Sequence, residues 1–475
     1  MYQCLYPATE RKGCTVLDSA AKKRAWKRKL GKATLSTTRV IALAFVGIIL
    51  LGTILLMLPI SSRSGVPQSF RTALFTATSA TCVTGLVMGD TWSLWSGFGQ
   101  VVIISLIEIG GLGFMSMASM VVFLLKKKIG LRQRLIMAQA LSLNETQGVV
   151  KLQKWALCGS LLIQACGAII LFFRFLPDYG VKQAAAWGAF HAISAFCNAG
   201  FDIFGSLVPD ASVAVFQNDP VVLLTLAALI IVGGLGFFVW EEVVRVRKFK
   251  NFSVYTKLVL LMTASLLALG AVLLLILEWN NPQTLGDMPA WQKVLNAFFQ
   301  SASLRTAGFA SIDQAGLTDG GKAISILWML IGGSSGSTAG GVKTVTFFVL
   351  LLFVLTRIRN RNTVHVFKRT IPNEKVVDAM TIVSIVVGLA VGGAIFICAT
   401  SPVNFTNALF ETASALATVG LTAGTTSLLS IPAQYMIILF MYFGRVGVLT
   451  ISLGFLMGDK AEDRFRYAHT NLLIG

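Results

Sequence analysis

FTATSATCVTGL (Phe75–Leu86), FHAISAFCNAGF (Phe190–Phe201), FFQSASLRTAGF (Phe298–Phe309) and FETASALATVGL (Phe410–Leu421) are four versions of one segment. Each opens on Phe, reaches Gly ten residues later, and has Leu or Phe directly after the glycine. The glycines, Gly85, Gly200, Gly308 and Gly420, are 115, 108 and 112 positions apart. Self-similarity at so even a spacing marks an internal repeat. Four similar units in one chain can close a pseudo-fourfold ring, and a ring of backbone carbonyls is a membrane's way of selecting cations.

Long apolar stretches flank each segment. Hydrophobic patterning predicts first helices at roughly 40–60, 153–176, 254–278 and 379–400, and second helices at roughly 96–125, 220–244, 322–355 and 432–457. The run 41–60 can span the ~30 Å of a bilayer core as a helix. A basic segment precedes it, as in a signal peptide. Its 20 apolar residues exceed an h-region of about 7–15, and no small-x-small cleavage site follows, so it reads as an uncleaved span. Pro220 and Pro432 fall where second helices begin, a position that tolerates Pro. The quoted segments are too short and polar to cross again, yet too apolar for exposed loops. A re-entrant helix returning as extended chain fits, since irregular backbone survives at membrane depth only where it lines a wet cavity. The short helix would aim its partly negative C-terminus at that cavity, which favours a cation.

The expected fold is an all-α integral membrane protein. Four fused helix–pore helix–helix repeats (38–128, 150–250, 253–357 and 376–458) stand around one pore and contribute eight transmembrane helices. A basic cytoplasmic extension (1–37) precedes them and a cytoplasmic tail (459–475) follows.

Composition agrees. The 475 residues are 55% hydrophobic and 13% charged, about half the charge of a soluble domain, and the mean hydropathy is +0.74. The net charge of +19 is unevenly spread, with 31 of the 40 Lys/Arg in five segments: 11–39, 126–154, 245–257, 357–375 and 460–466. Basic loops stay inside. Both termini are therefore expected in the cytoplasm of a plasma-membrane protein, with the glycine segments entering from outside, and the charge answers to membrane lipid rather than nucleic acid. Asp90, Asp178, Asp202, Asp210, Asp219, Glu278, Asp287, Asp313 and Asp319 then fall outside. They read equally as a cation-collecting mouth or as a solvated acidic face. Seven cysteines and three histidines show no metal-ligand spacing.

The second helices carry their own repeat: Gly110-Gly111-Leu112-Gly113-Phe114, Gly233-Gly234-Leu235-Gly236-Phe237, the run 332–341, and Gly444-Arg445-Val446-Gly447. In the first two, close helix packing is the expected reason rather than hinging. The third, Gly332-Gly333-Ser334-Ser335-Gly336-Ser337-Thr338-Ala339-Gly340-Gly341, cannot be a stable helix, each Gly costing about 1 kcal/mol against Ala. GSTAGGVKT (336–344) is no phosphate-binding loop, because Val342 interrupts the required Gly-Lys and no strand precedes it. Arg445 stands in an apolar run. A charge at the bilayer centre costs about 2.5–3.5 kcal/mol on insertion scales and marks a pathway by default. Its alternative is an ion pair with Glu108, at the matching level of repeat one.

Together these residues resemble the Trk/Ktr/HKT superfamily of potassium transporters, over nearly everything from residue 38 to 457. Within it the chain is similar to the ion-translocating subunit of Ktr systems. The resemblance implies a selectivity filter at Val83-Thr84-Gly85, Asn198-Ala199-Gly200, Thr306-Ala307-Gly308 and Thr418-Val419-Gly420. It implies a gating loop at 332–341 beneath the filter, and Arg445 in the pore. A charge about 7 Å from a permeating ion, at an effective dielectric near 20, repels it by about 2.4 kcal/mol. Glycine at all four filter positions implies potassium as the substrate. The resemblance further implies homodimers, sodium as an activator, and regulation by a cytosolic ring of nucleotide-binding subunits (KtrA in Ktr systems). The filter departs from its repeat at unit three, where Ala302-Ser303 replaces Ser-Ala and Arg305 lies beside it. A filter passing both sodium and potassium, as in HKT relatives, is the alternative. A coupled carrier of small solutes would call for inverted repeats and buried acids, and an enzyme for His or paired carboxylates on the spans. Neither pattern is present.

Overall fold

The structure is a computed structural model that describes residues 37–113, 149–361, 363–367 and 369–447. Most of the basic extension, the segment 114–148 and the tail 459–475 lie outside the described residues. So do the ends of the second helices of repeats one and four, expected to reach 125 and 457.

Repeat one consists of α1 (Thr37–Met57), α2 (Phe70–Cys82) and α3 (Gly97–Leu112). In repeat two the first and short helices form one element, α4 (Val149–Cys197), turned at Gly180 three residues after Pro177. α5 (Pro220–Leu235) and α6 (Phe237–Val246) follow. Repeat three has α7 (Val254–Glu278), α8 (Ala290–Ser303), α9 (Asp319–Leu330) and α10 (Thr344–Ile358). A small hairpin, β1 (His365–Val366) with β2 (Arg369–Thr370), leads to repeat four: α11 (Asn373–Thr400), α12 (Phe405–Ala417) and α13 (Ile431–Val446). The second helix of every repeat begins at a side-chain cap. Ser96, Asp219, Thr318 and Ser430 accept backbone N–H groups of the first turn, which satisfies donors that a helix start leaves open.

Among the described residues, Arg39–Met57, Val150–Cys197, Val254–Glu278 and Asn373–Thr400 are long and apolar enough to cross a membrane. α5 and α6 together make a fifth, bent by 95°.

The second helices are not the continuous spans that hydropathy predicts. α3, α5 and α13 each stop at a glycine with positive φ: Gly113 at 85°, Gly236 at 95° and Gly447 at 92°. In repeat three the break widens to residues 331–343, between α9 and α10. The earlier glycines of the same motifs do serve close packing. A Cβ on Gly110, Gly233 or Gly444 would collide with the carbonyl of Thr81, Phe196 or Leu416, near the end of a short helix. So the motif has two parts, a contact glycine and a breaking glycine, where only the first was expected for repeats one and two.

Packing follows a cycle. α3 packs on α4, α5 on α8, α9 on α12, and α13 returns to α2. Each second helix thus leans on the short helix of the next repeat, and the fourth closes on the first. Gly233→Val should cost about 1–3 kcal/mol by overpacking and lower the yield of monodisperse protein in detergent. A yield equal to wild type would show that α5 does not depend on that approach.

Candidate ion pathway

Each short helix ends by turning left-handed. Val83, Asn198, Thr306 and Thr418 have φ of 57°, 58°, 71° and 52°, and Gly85, Gly200, Gly308 and Gly420 have 95°, 69°, 80° and 97°. The residue between them has ordinary φ. Alternation of this kind turns successive carbonyls to one side instead of opposite sides. Non-glycine residues in such conformations cost of order 1–3 kcal/mol each and persist only when the surroundings hold them.

A serine does the holding. The N–H of Thr84, Ala199 and Val419 donates to the carbonyl of Ser79, Ser194 and Ser414 at 2.8 Å, and Ala307 N–H to that of Ser303 at 2.9 Å. The hydroxyls add a second tie. Ser79 and Ser414 accept the N–H of Gly85 (3.1 Å) and Gly420 (3.0 Å). Ser194 and Ser303 donate to the carbonyls of Phe201 (2.7 Å) and Phe309 (2.5 Å). The Ala302-Ser303 swap is therefore no loss of the motif, because in repeat three the path from serine to glycine is one residue shorter. Arg305 points away from the strand, donating to Thr263 on α7 at 3.3 Å.

The four glycines form a closed ring. A Cβ on Gly85 would lie 2.5 Å from the Ala199 carbonyl oxygen, and one on Gly200 2.7 Å from that of Ala307. One on Gly308 would strike the Val419 carbonyl, and one on Gly420 the Thr84 carbonyl, closer still. Every glycine abuts the middle carbonyl of the next repeat, and the fourth abuts the first.

The segment 332–341 lies against this ring. A Cβ on Gly340 would strike the Thr418 side chain, and Gly341 faces Ala417. One flank is stitched to the break in repeat two: Ser334 N–H donates to Gly234 O (3.1 Å), Thr338 N–H to Gly233 O (3.3 Å), and Phe237 N–H to Gly336 O (3.0 Å). The Thr338 hydroxyl donates to Phe196 O (3.1 Å), the Tyr255 hydroxyl to Ser335 O (3.0 Å), and Lys343 to Ala339 O (2.7 Å).

Arg445 secures the other flank. It donates to Thr338 O in the loop and to Gly110 O and Gly111 O (2.9 Å) at the end of α3. Glu108 instead accepts from Gln164 (3.0 Å) and Cys197 (3.3 Å) on α4. The Arg445–Glu108 pair weighed from sequence is not formed, because the carbonyls of the broken α3 already meet the guanidinium. Sequence reasoning passed over Tyr255 and Lys343; Lys343, next to the glycine run, carried the only signal.

Several of the acids expected on the outer face are structural. Asp90 caps a short turn through Ser93 N–H (2.7 Å). Asp219 caps α5 and pairs with Arg174 at 2.5 Å. Glu278 accepts from Thr318 N–H (3.0 Å) at the start of α9. Asp202 differs: burial first, and the neighbouring Asp90 carboxylate second, push its pKa up to about 7.

A family model described as TrkH, cation transport protein, matches residues 7–464. The chain belongs to the TrkH family. Its members are transporters, not enzymes. The chain is 39% identical to the potassium/sodium uptake protein NtpJ of Enterococcus hirae, covering 96% of this chain and 99% of that one. It is 40% identical to the Ktr system potassium uptake protein B of Bacillus subtilis, covering 90% and 94%. Among solved structures, the potassium transporter TrkH of Vibrio parahaemolyticus shares the fold, with a TM-score of 0.69 at 18% identity over 89% of this chain and 85% of that one.

The fold favours the protonated Asp202 carboxyl. The stability that it supports is present at acid pH and is lost as pH rises from about 4 toward 7. The Tm of purified protein should therefore fall between about pH 4 and pH 7, and less in Asp202→Asn. An equal fall in the variant would rule Asp202 out as the titrating group.

Proposed function

We propose that this protein is the ion-translocating subunit of a potassium uptake system in the plasma membrane, and that the four triplets ending at Gly85, Gly200, Gly308 and Gly420 are its selectivity filter. The closed ring of glycines, each against the next strand's carbonyl, carries this reading. It supplies convergent carbonyl oxygens of fixed spacing, which can replace an ion's hydration shell. The uptake named for the relatives supports it. Potassium is the substrate and sodium an activator. The basic ends lie in the cytoplasm and the filter opens outward.

The segment 332–341 is the gate. It closes the pathway below the filter and is held by separate hydrogen bonds to repeats two and four and to Tyr255 and Lys343 of its own repeat, so it can be released without unfolding a helix. α10 continues from it to Arg357, Arg359 and the basic hairpin. A cytosolic nucleotide-binding ring docked there, under a homodimer, would pull on the gate through α10. The sodium in the name of the relative from Enterococcus hirae favours one second reading, a filter that also passes sodium. Rubidium and sodium tracer uptake into potassium-starved cells lacking their own transporters separates the two.

Gly85→Ser puts a Cβ on the Ala199 carbonyl. It should reduce potassium-over-sodium discrimination about tenfold, the equivalent of ~1.4 kcal/mol, with the protein still inserted. Unchanged discrimination would remove Gly85 from the filter. Arg445→Ala removes both a repulsive charge and the tie to Thr338. The initial rubidium uptake rate should rise, by up to about fiftyfold for loss of the whole ~2.4 kcal/mol Coulomb term. Low detergent yield with no gain in rate would mean that Arg445 is structural only.

A further inference from the structure

Alignment of the four pore segments on Ser79, Ser194, Ser303 and Ser414 reveals a polar residue three positions earlier in each: Thr76, His191, Gln300 and Glu411. All four are buried. In three repeats this side chain takes part in a bond to chain that has already left the filter. His191 Nε2 accepts from Ile203 N–H at 3.3 Å, while its Nδ1 donates to Trp187 O at 2.7 Å. Gln300 donates to Gln314 at 2.8 Å. Glu411 accepts from the hydroxyls of Thr422 (2.8 Å), Thr425 (2.9 Å) and Thr426. The same place in the fold is used three times with three chemistries, and only repeat four uses a carboxylate.

We propose that Glu411 is a positioning residue that sets ion specificity: through Thr422, Thr425 and Thr426 its carboxylate fixes the path of the chain leaving Gly420, and with it the width of the ring on that side. The proposal rests on the filter reading above. Thr418 and Gly420 are both held at positive φ, and a strand so bent needs restraint at each end. Ser414 restrains the entry. Glu411 restrains the exit, with both carboxylate oxygens engaged and hence one fixed rotamer. It is not an ordinary cap. Glu278, among the described residues the other fully buried carboxylate with hydroxyl donors, also takes Thr318 N–H where α9 starts. The donors found for Glu411 are all hydroxyls from the few residues directly after the filter glycine. A ring sized for potassium discriminates against sodium only if it resists closing on the smaller ion, and a strand loosened at its exit resists less.

The test compares Glu411→Ala, Glu411→Gln and Gly420→Ala for rubidium and sodium uptake, with detergent yield measured in parallel. Glu411→Ala should lose about tenfold of the rubidium-over-sodium discrimination and raise the KM for rubidium more than it changes the maximal rate, as loss of bonds to a charged group would. Glu411→Gln keeps one accepting oxygen, and its amide N–H can donate to a hydroxyl oxygen on the other side, so it should stay within about twofold of wild type. Should Glu411→Ala fail to insert, Thr422→Val removes the nearest tie to the filter and leaves two others; it should shift discrimination in the same direction. Wild-type discrimination in Glu411→Ala, or in Thr422→Val where that variant stands in, overturns the proposal. So does an equal loss in Glu411→Gln. If Gly420→Ala also discriminates normally, the filter reading itself has failed; if it alone loses discrimination, the filter stands and Glu411 is only a structural residue.

Discussion

Everything in this molecule turns on a contact between backbones: each of Gly85, Gly200, Gly308 and Gly420 against the middle carbonyl of the next repeat's triplet. The contact is cyclic, so no strand can move without its neighbours. It leaves no room for a Cβ, and the strands must also bend to positive φ, where glycine alone is free of strain. The rest of the fold provides for this. Short helices end at the ring, serines brace the strands by hydroxyl and carbonyl, and the second helices lean on the next repeat's short helix to close the same cycle at a larger radius.

Closing that outer cycle exposes a difficulty. A second helix that packs so near the end of a short helix must also clear the axis, and it does so by breaking at a glycine. A broken helix leaves carbonyls without partners. At the end of α5, Gly233 O and Gly234 O accept from the loop at Ser334 and Thr338. At the end of α3, Gly110 O and Gly111 O accept from Arg445. The irregular segment of repeat three is thus the partner that the break in repeat two requires, as Arg445 of repeat four is for the break in repeat one.

The ring of four glycines was legible because glycine is the only solution there, so Gly85, Gly200, Gly308 and Gly420 recur at even spacing through otherwise divergent sequence. The irregularity of 332–341 was legible for a similar reason, since that many glycines cannot hold a helix. Hydropathy does not see a backbone break, so α3 and α5 read as continuous although Gly113 and Gly236 end them. The serine braces were half hidden. Aligned on glycine, repeat three lacks the serine; aligned on the hydroxyl, Ser303 keeps its place and the path from it to Gly308 is one residue shorter. The role of Asp90, Asp219 and Glu278 was illegible because a cap and a solvated acid are the same letter, and only the neighbouring N–H groups tell them apart.

Arg445 was read as either a barrier or half of an ion pair, and its geometry removes the need to choose in the form first posed. A guanidinium at the end of α3 meets the partly negative end of a helix, a favourable interaction of up to about 2 kcal/mol when partly buried. Charge-assisted bonds to carbonyls add to it. That is comparable to the insertion cost of about 2.5–3.5 kcal/mol, so no carboxylate is required. Dipoles solvate a charge without cancelling it. An ion pair with Glu108 would have left little field for a passing cation to feel, whereas carbonyls leave the full positive charge in place. The arrangement that makes Arg445 affordable as a structural tie between α13, α3 and the loop therefore also keeps the charge on which its proposed role as a barrier depends.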